Sequence, residues 1–318
     1  MTASKAAIRN PAAPADSAAS GVRQSESACA TLALELKPGQ SIALLKELHI
    51  LTREGKLNQD SRRKLKQVYH LYHFIEKLLD DLPLQAGQTL TLADHGAGKS
   101  YLGFILYDLY FSHHEASTIY GIETRPELVQ RSSALATRLG FDRMRFLNLS
   151  VAASAHSPQL PQQVDVVTAL HACDTATDDA IAFALAKKAR ALVLVPCCQA
   201  EVARHLTQSR AISLARTPLA ELWRHPLHTR ELGSQISNVL RCLYLQACGY
   251  QVTVTELVGW EHSLKNELIL ARYTGQHRRS AAQRLRAIVQ EFGLEMLLDS
   301  RFAGLKNNVD NLPASASA

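Results

Sequence analysis

Five short apolar runs occupy the middle of this 318-residue chain: Leu90–Asp94, Ser117–Glu123, Arg145–Asn148, Val164–Leu170 and Ala191–Val195. A polar or glycine-containing turn and then a helical segment follow the first, second and fourth, while the third leads into a Ser/Ala/His/Pro/Gln loop. The fifth ends at Pro196-Cys197-Cys198. Strand, turn and helix therefore alternate. Strands that are apolar at nearly every position are buried on both faces, which predicts a parallel sheet covered by helices. Ligands of such sheets bind beyond the carboxyl ends of the strands. Asp94, Glu123, Asn148, His171 and Cys197 all fall at those ends.

Residues 1–38 are rich in Ala, Ser and Pro and read as a disordered tail. Helical periodicity then runs from Ile42 to about Leu82 (a helical segment over 39–84), with Leu65, Val68, Leu71, Phe74, Ile75, Leu78 and Leu79 on one face. After strand two, Thr124 is placed to cap a helix with Glu127 as its capping-box partner and Pro126 in the first turn. Beyond Cys198 the pattern loosens. The segment 204–230 holds five arginines, one acid and three histidines, and reads as a lid, a substrate insertion or a solvated surface. An amphipathic helix is expected over Ser234–Ala247. Two further strands, Gln251–Val258 and Glu267–Tyr273, predict an antiparallel hairpin at the sheet edge. A basic helix and a frayed tail (276–318) complete the chain.

Composition narrows the setting. The net charge is +6 and the pI about 9.0, which favours phosphate-rich partners. Arg62, Arg63, Lys64 and Lys66 are either a solvated first helical turn or a phosphate-touching patch. No run reaches the roughly 18 apolar residues of a membrane span. The first residues lack the apolar block of a signal peptide, so a cytoplasmic location is expected rather than an organelle. The six cysteines (29, 173, 197, 198, 242, 248) do not form a secreted framework. Cys197 and Cys198 are adjacent and poorly spaced to chelate one ion, so no metal is expected.

The candidate chemistry centres on Leu90–Ser100, LTLADHGAGKS. A phosphate-binding loop needs G-x-x-x-x-G-K-[ST]. The window 93–100 has the G-K-S end but lacks the first glycine, and Asp94 would lie inside a loop meant for anions. A dinucleotide fold needs G-x-G-x-x-G, and the third position here is Tyr101. S-adenosylmethionine fits better. Its methionine end is cationic, so an acid before a glycine turn suits it. A second acid at the end of strand two can take both ribose hydroxyls. Asp94, Gly96, Gly98, Ser100 and Glu123 supply that set, and Asn148 is placed to approach the adenine.

Asp94–Ser100 with Glu123 resembles motifs I and II of class I S-adenosylmethionine-dependent methyltransferases. The run LHACDTATD over 170–178, with VPCCQ over 195–199 and SLKNELI over 263–269, resembles a subgroup of methyltransferase-like domains. Transfer-RNA 2′-O-methyltransferases of the acceptor stem carry a similar K-H-x-C-G-x-A-T-D and C-C-H. The resemblance covers about 85–273 and implies a Rossmann-like seven-stranded sheet whose last strand is inserted antiparallel. It also implies methyl transfer, with S-adenosylmethionine as cofactor. The chain departs from the pattern at Ser100, where motif I has glycine, at His95, at Leu170 and at Asp174. His171 and Asp174 are candidate bases. Cys173, Asp178, Cys197 and Cys198 are candidate pocket residues, although Asp178 equally suits a helix cap. RNA is the favoured substrate class, with protein or a small molecule open and no membrane partner expected. Two other functions remain: a catalytically inactive RNA-binding or scaffold module, and a P-loop nucleotide hydrolase.

Overall fold

The computed structural model describes residues 35–82, 88–170, 174–196, 199–208, 217–257 and 267–305. The tail expected at 1–38 falls almost wholly outside them, as do His171, Cys173, Cys197 and Cys198. In chain order the helices and strands are α1 (Ile42–Glu47), α2 (Gln59–Asp80), β1 (Thr91–His95), α3 (Tyr101–Leu109), β2 (Thr118–Glu123), α4 (Pro126–Leu139), β3 (Met144–Asn148), α5 (Val151–Ser154) and β4 (Val166–Ala169). They continue with α6 (Ala176–Ala186), β5 (Ala191–Leu194), α7 (Glu201–Gln208), α8 (Pro226–Ala247), β6 (Tyr250–Glu256), β7 (Glu267–Tyr273), α9 (Arg279–Glu291) and α10 (Met296–Ser300).

The strands form one seven-stranded sheet in the order β3-β2-β1-β4-β5-β7-β6. The first five are parallel, and β7 lies antiparallel between β5 and β6. This is the Rossmann-like methyltransferase architecture, with helices on both faces. Because side chains alternate along a strand, successive residues enter different layers. Leu92, Val166 and Val193 pack against α1 to α4, while Ala93, Val167 and Leu192 pack against α6 and α8 to α10.

Three boundaries differ from the sequence reading, each for a local reason. The helical stretch after Ile42 is two helices. Gly55 at φ +80° turns the chain, and the Asn58 side chain then caps α2 by accepting from the Ser61 amide at 2.7 Å. Helix α4 is capped by Arg125 rather than Thr124, with no side-chain cap bond. The Glu123 carboxylate reaches forward to the Arg125 amide, and the Thr124 hydroxyl turns back to Glu123. Helix α8 begins at Pro226, eight residues before the expected start, so residues 226–230 of the arginine-rich segment are helical. Among the described residues no helix is long and apolar enough to cross a membrane.

Helices α7 and α8 are in close contact at Gly233. A Cβ there would lie 2.7 Å from the Ala203 amide nitrogen and 2.9 Å from its Cβ. Alanine favours a helix over glycine by about 1 kcal/mol. Overpacking against backbone costs about 1–3 kcal/mol, and this neighbour cannot rotate away. The immovable neighbour puts the cost at the upper end of that range, so Gly233→Ala is expected to destabilise the protein by about 2 kcal/mol in urea unfolding. A variant as stable as wild type would show that the two helices separate freely.

Candidate active site

The sheet's strand order reverses between β1 and β4, and the crevice at their carboxyl ends is where this topology places a ligand. Asp94 lies there, opposite Thr168 in the parallel register, and accepts from the Thr168 hydroxyl at 2.7 Å. It is 3% exposed. Burial pushes its carboxyl up to about 6, against the pull of Thr168, and the charge of Glu123 adds to the rise.

The glycine turn is fastened to β2. Ala97 donates its amide to the Ile122 carbonyl at 3.1 Å, and Gly98 donates to Glu123 Oε2 at 2.8 Å. Gly98 sits at φ +58°, a conformation that side chains rarely adopt. These bonds bring the two carboxylates to one rim. Burial works to raise Glu123, but the Arg125 side chain and amide and the Gly98 amide outweigh it and hold the carboxyl down to about 2.

Ser100 stands where the methyltransferase pattern has its third glycine. It adopts that glycine's left-handed backbone, φ 51° and ψ 37°, with its side chain buried. Gly103 makes this workable: a Cβ at 103 would collide with the Ser100 hydroxyl. The glycine missing at 100 is matched by one a single helical turn later.

Behind the turn, His95 is fully buried, with its ring edge-on to Phe183 at 4.3 Å. Neither ring nitrogen has a hydrogen-bond partner among the described residues. Burial lowers its pKa to about 3, so the imidazole is neutral at any physiological pH.

A cavity of about 580 Å³ opens over the turn. Asp94, Gly96, Gly98 and Glu123 line it, with Arg125 beside them and Leu149, Val151 and Leu170 as apolar walls. The donor set fits S-adenosylmethionine. Asp94 would hold the cationic methionine end, Glu123 the ribose and the apolar wall the base. Asn148 is turned away: its amide donates to the carbonyls of Glu123 at 3.1 Å and Thr124 at 2.9 Å.

The candidate substrate side is built from a buried polar network. Arg241 on α8 is 2% exposed. It makes a two-pronged ion pair with Asp178, at 2.8 and 2.6 Å, and donates to the Asp174 carbonyl at 2.8 Å. It also donates to Gln199 and Asn238, and Asn238 donates to Glu267 at the start of β7. Asp178 thus anchors α8; the residue before α6 is Thr175. Asp174, at φ +52°, accepts from the amides of Ala200 and Glu201 at 2.9 and 3.0 Å and so caps α7. Burial pushes the Asp174 carboxyl up, but those amides and Arg204 overcome it and leave it below its ordinary value. Among the described residues no three His, Cys, Asp or Glu side chains are grouped to hold a metal ion.

Several basic groups have acidic partners. Arg62 pairs with Glu35, Arg63 and Lys64 with Asp60, Arg204 with Asp174, Arg224 with Glu221, and Arg230 with Glu231.

Residues 63–205 match the family model of a methyltransferase domain. The match takes in both carboxylates and the turn between them. No curated protein matches the chain. Among solved structures, the CMeT domain of citrinin polyketide synthase is similar at 14% identity and TM-score 0.43, over 70% of this chain and 58% of that one. Magnesium protoporphyrin IX methyltransferase from Synechocystis PCC 6803, with bound SAH, is similar at 13% and 0.40, over 74% and 95%. A SAM-dependent methyltransferase from Aquifex aeolicus is similar at 17% and 0.36, over 62% and 87%. Over those residues, which take in β1 to β5, the chain is similar to a methyltransferase domain.

Proposed function

We propose that this protein transfers a methyl group from S-adenosylmethionine to a nucleophile on RNA. One observation carries the cofactor half of that reading: two carboxylates, one on each side of a glycine turn, at the mouth of a 580 Å³ cavity where the strand order reverses. When bound, the cofactor supplies an electrophilic methyl on a sulfonium. The protein's part is placement, which is worth several kcal/mol when an acceptor is held in line. Asp94 and Glu123 orient the cofactor, and the apolar wall excludes water.

A base is needed only where the acceptor carries a proton. Asp174 is a poor one, because its carboxylate already accepts two amides and faces Arg204. We assign that role to His171, two residues beyond β4 in the sequence and outside the described residues. RNA is supported by the net charge of +6, by Arg279, Arg284 and Arg286 on α9, and by the resemblance of 170–178 to the acceptor-stem enzymes. The paired arginines add to it, since exposed ion pairs are weak and a phosphate can displace the acid.

Incubation with methyl-labelled cofactor and a fractionated lysate is expected to place label in the RNA fraction, and ribonuclease to release it. Label in protein or small metabolites would change the substrate class. Cofactor binding without turnover would favour the scaffold reading, and a wild-type protein that does not bind the cofactor would end the proposal.

A further inference from the structure

The Glu123 carboxylate is already fully engaged. Oε2 accepts from the Gly98 amide at 2.8 Å and from Arg125 Nη2 at 3.2 Å. Oε1 accepts from the Arg125 amide and Arg125 Nε, both at 3.0 Å, and from the Thr124 hydroxyl at 3.3 Å. A carboxylate offers about four acceptor positions, and five donors occupy this one. Two of the five come from a single guanidinium. The Glu123 side chain is 6% exposed, whereas that of Arg125 is 60% exposed, so the arginine covers the acid from the solvent side. Arg125 also lines the cavity, and its Nη2 would lie 3.8 Å from a Cβ placed on Gly98.

We infer that Arg125 is a competitor for the ribose subsite. Its fork imitates the paired hydroxyls of the cofactor, and cofactor entry exchanges one for the other. The Gly98 and Arg125 amides hold the inner edge of the carboxylate and stay in place. The guanidinium holds the outer edge and leaves, which its exposed, flexible stem allows. The affinity of the site is then set by a difference between two occupants of the same acid, and Arg125 determines it without binding the cofactor. This inference rests on the assignment of Glu123 to the ribose.

The test is calorimetric titration of the full chain with S-adenosylhomocysteine. Arg125→Ala is expected to bind about fivefold more tightly than wild type, the upper end of the range for exposed ion pairs, since here only the arginine is exposed. Arg125→Lys, which keeps the charge but lacks the fork, should fall between them. Raising salt from about 50 to about 500 mM should tighten wild-type binding, because it weakens the pair that must break, and leave Arg125→Ala unchanged. In a Glu123→Gln background the gain from Arg125→Ala should vanish.

Equal or weaker binding by Arg125→Ala would overturn the inference, and the arginine would instead be holding Glu123 in pose or touching the cofactor. If neither wild type nor Arg125→Ala bound, the cofactor reading would itself fall and take the inference with it. Arg125 is exposed and its side chain makes no cap bond to α4, so the alanine variant is expected to fold; the unchanged unfolding midpoint of the unliganded protein checks this.

Discussion

Arg241→Ala is expected to destabilise the protein by about 3–5 kcal/mol, the loss seen when one partner of a buried ion pair is removed. The substitution strands Asp178, whose side chain is 10% exposed, and takes the Arg241 donor from Gln199 Oε1 and the Asp174 carbonyl, while Asn238 Oδ1 keeps only the Gln199 amide. These groups come from α6 and the residue Asp174 before it, from Gln199 between β5 and α7, and from α8. One guanidinium therefore sets how the two loops at the candidate substrate rim stand against each other. Urea unfolding should show the loss. Replacing Arg241 and Asp178 together by apolar residues of similar size should recover much of it, because no buried charge is then left alone. The contacts of the Asp94–Glu123 rim lie on β1, β4, the glycine turn and the end of β2, and none is made by Arg241, so S-adenosylhomocysteine affinity should change little while methyl transfer falls. A loss below about 1 kcal/mol would mean that solvent reaches Asp178 and the network is not buried in solution.

Asp94→Asn is expected to do the opposite to stability and the greatest harm to binding. Asp94 titrates at about 6 in the folded protein, against an ordinary value of 3.8. The folded state therefore holds a proton more tightly than the unfolded state does. The stability this contributes is fully present below pH 3.8 and is lost as pH rises through 6. At pH 8 wild type bears the whole cost of a buried charge, about 3 kcal/mol for a difference of that size. Asparagine keeps an acceptor for Thr168 and carries no charge. The variant should therefore be more stable than wild type by up to about 3 kcal/mol at pH 8, and the advantage should shrink toward pH 4. His95 titrates in the opposite direction over the same window, but it is common to both proteins and cancels in the comparison. Cofactor affinity should fall about tenfold to a hundredfold, as expected when a charged hydrogen bond to an ammonium is lost. A variant less stable than wild type at pH 8 would show that Asp94 is solvated.

Much of this was legible in the sequence. Short, mostly apolar runs bounded by turns, such as those holding Val166–Ala169 and Ala191–Leu194, read as strands buried on both faces, and they are. An acid that ends a strand just before a glycine turn is visible as such, and Asp94 and Glu123 do share one rim. What stayed hidden depends on partners far apart in the chain. Arg241 reads as an ordinary polar position on an amphipathic helix, because its partner Asp178 lies 63 residues earlier. Asn148 stands at a strand end, where a base-binding residue belongs, yet nothing local shows that its amide turns to the β2–α4 carbonyls. Arg125 reads as a surface residue beside an acid. Gly103 was a signal in plain view, a glycine inside an otherwise apolar helical segment. It acquires meaning only once Ser100 is known to be left-handed.

That last pair constrains the histories open to this turn. A chain with serine at 100 cannot gain a methyl group at 103 without collision, while a chain with glycine at both positions can change at either. A passage from serine and glycine to glycine and alanine meets that contact only if the methyl group arrives first, and the Ser100 hydroxyl must then turn aside within a buried pocket.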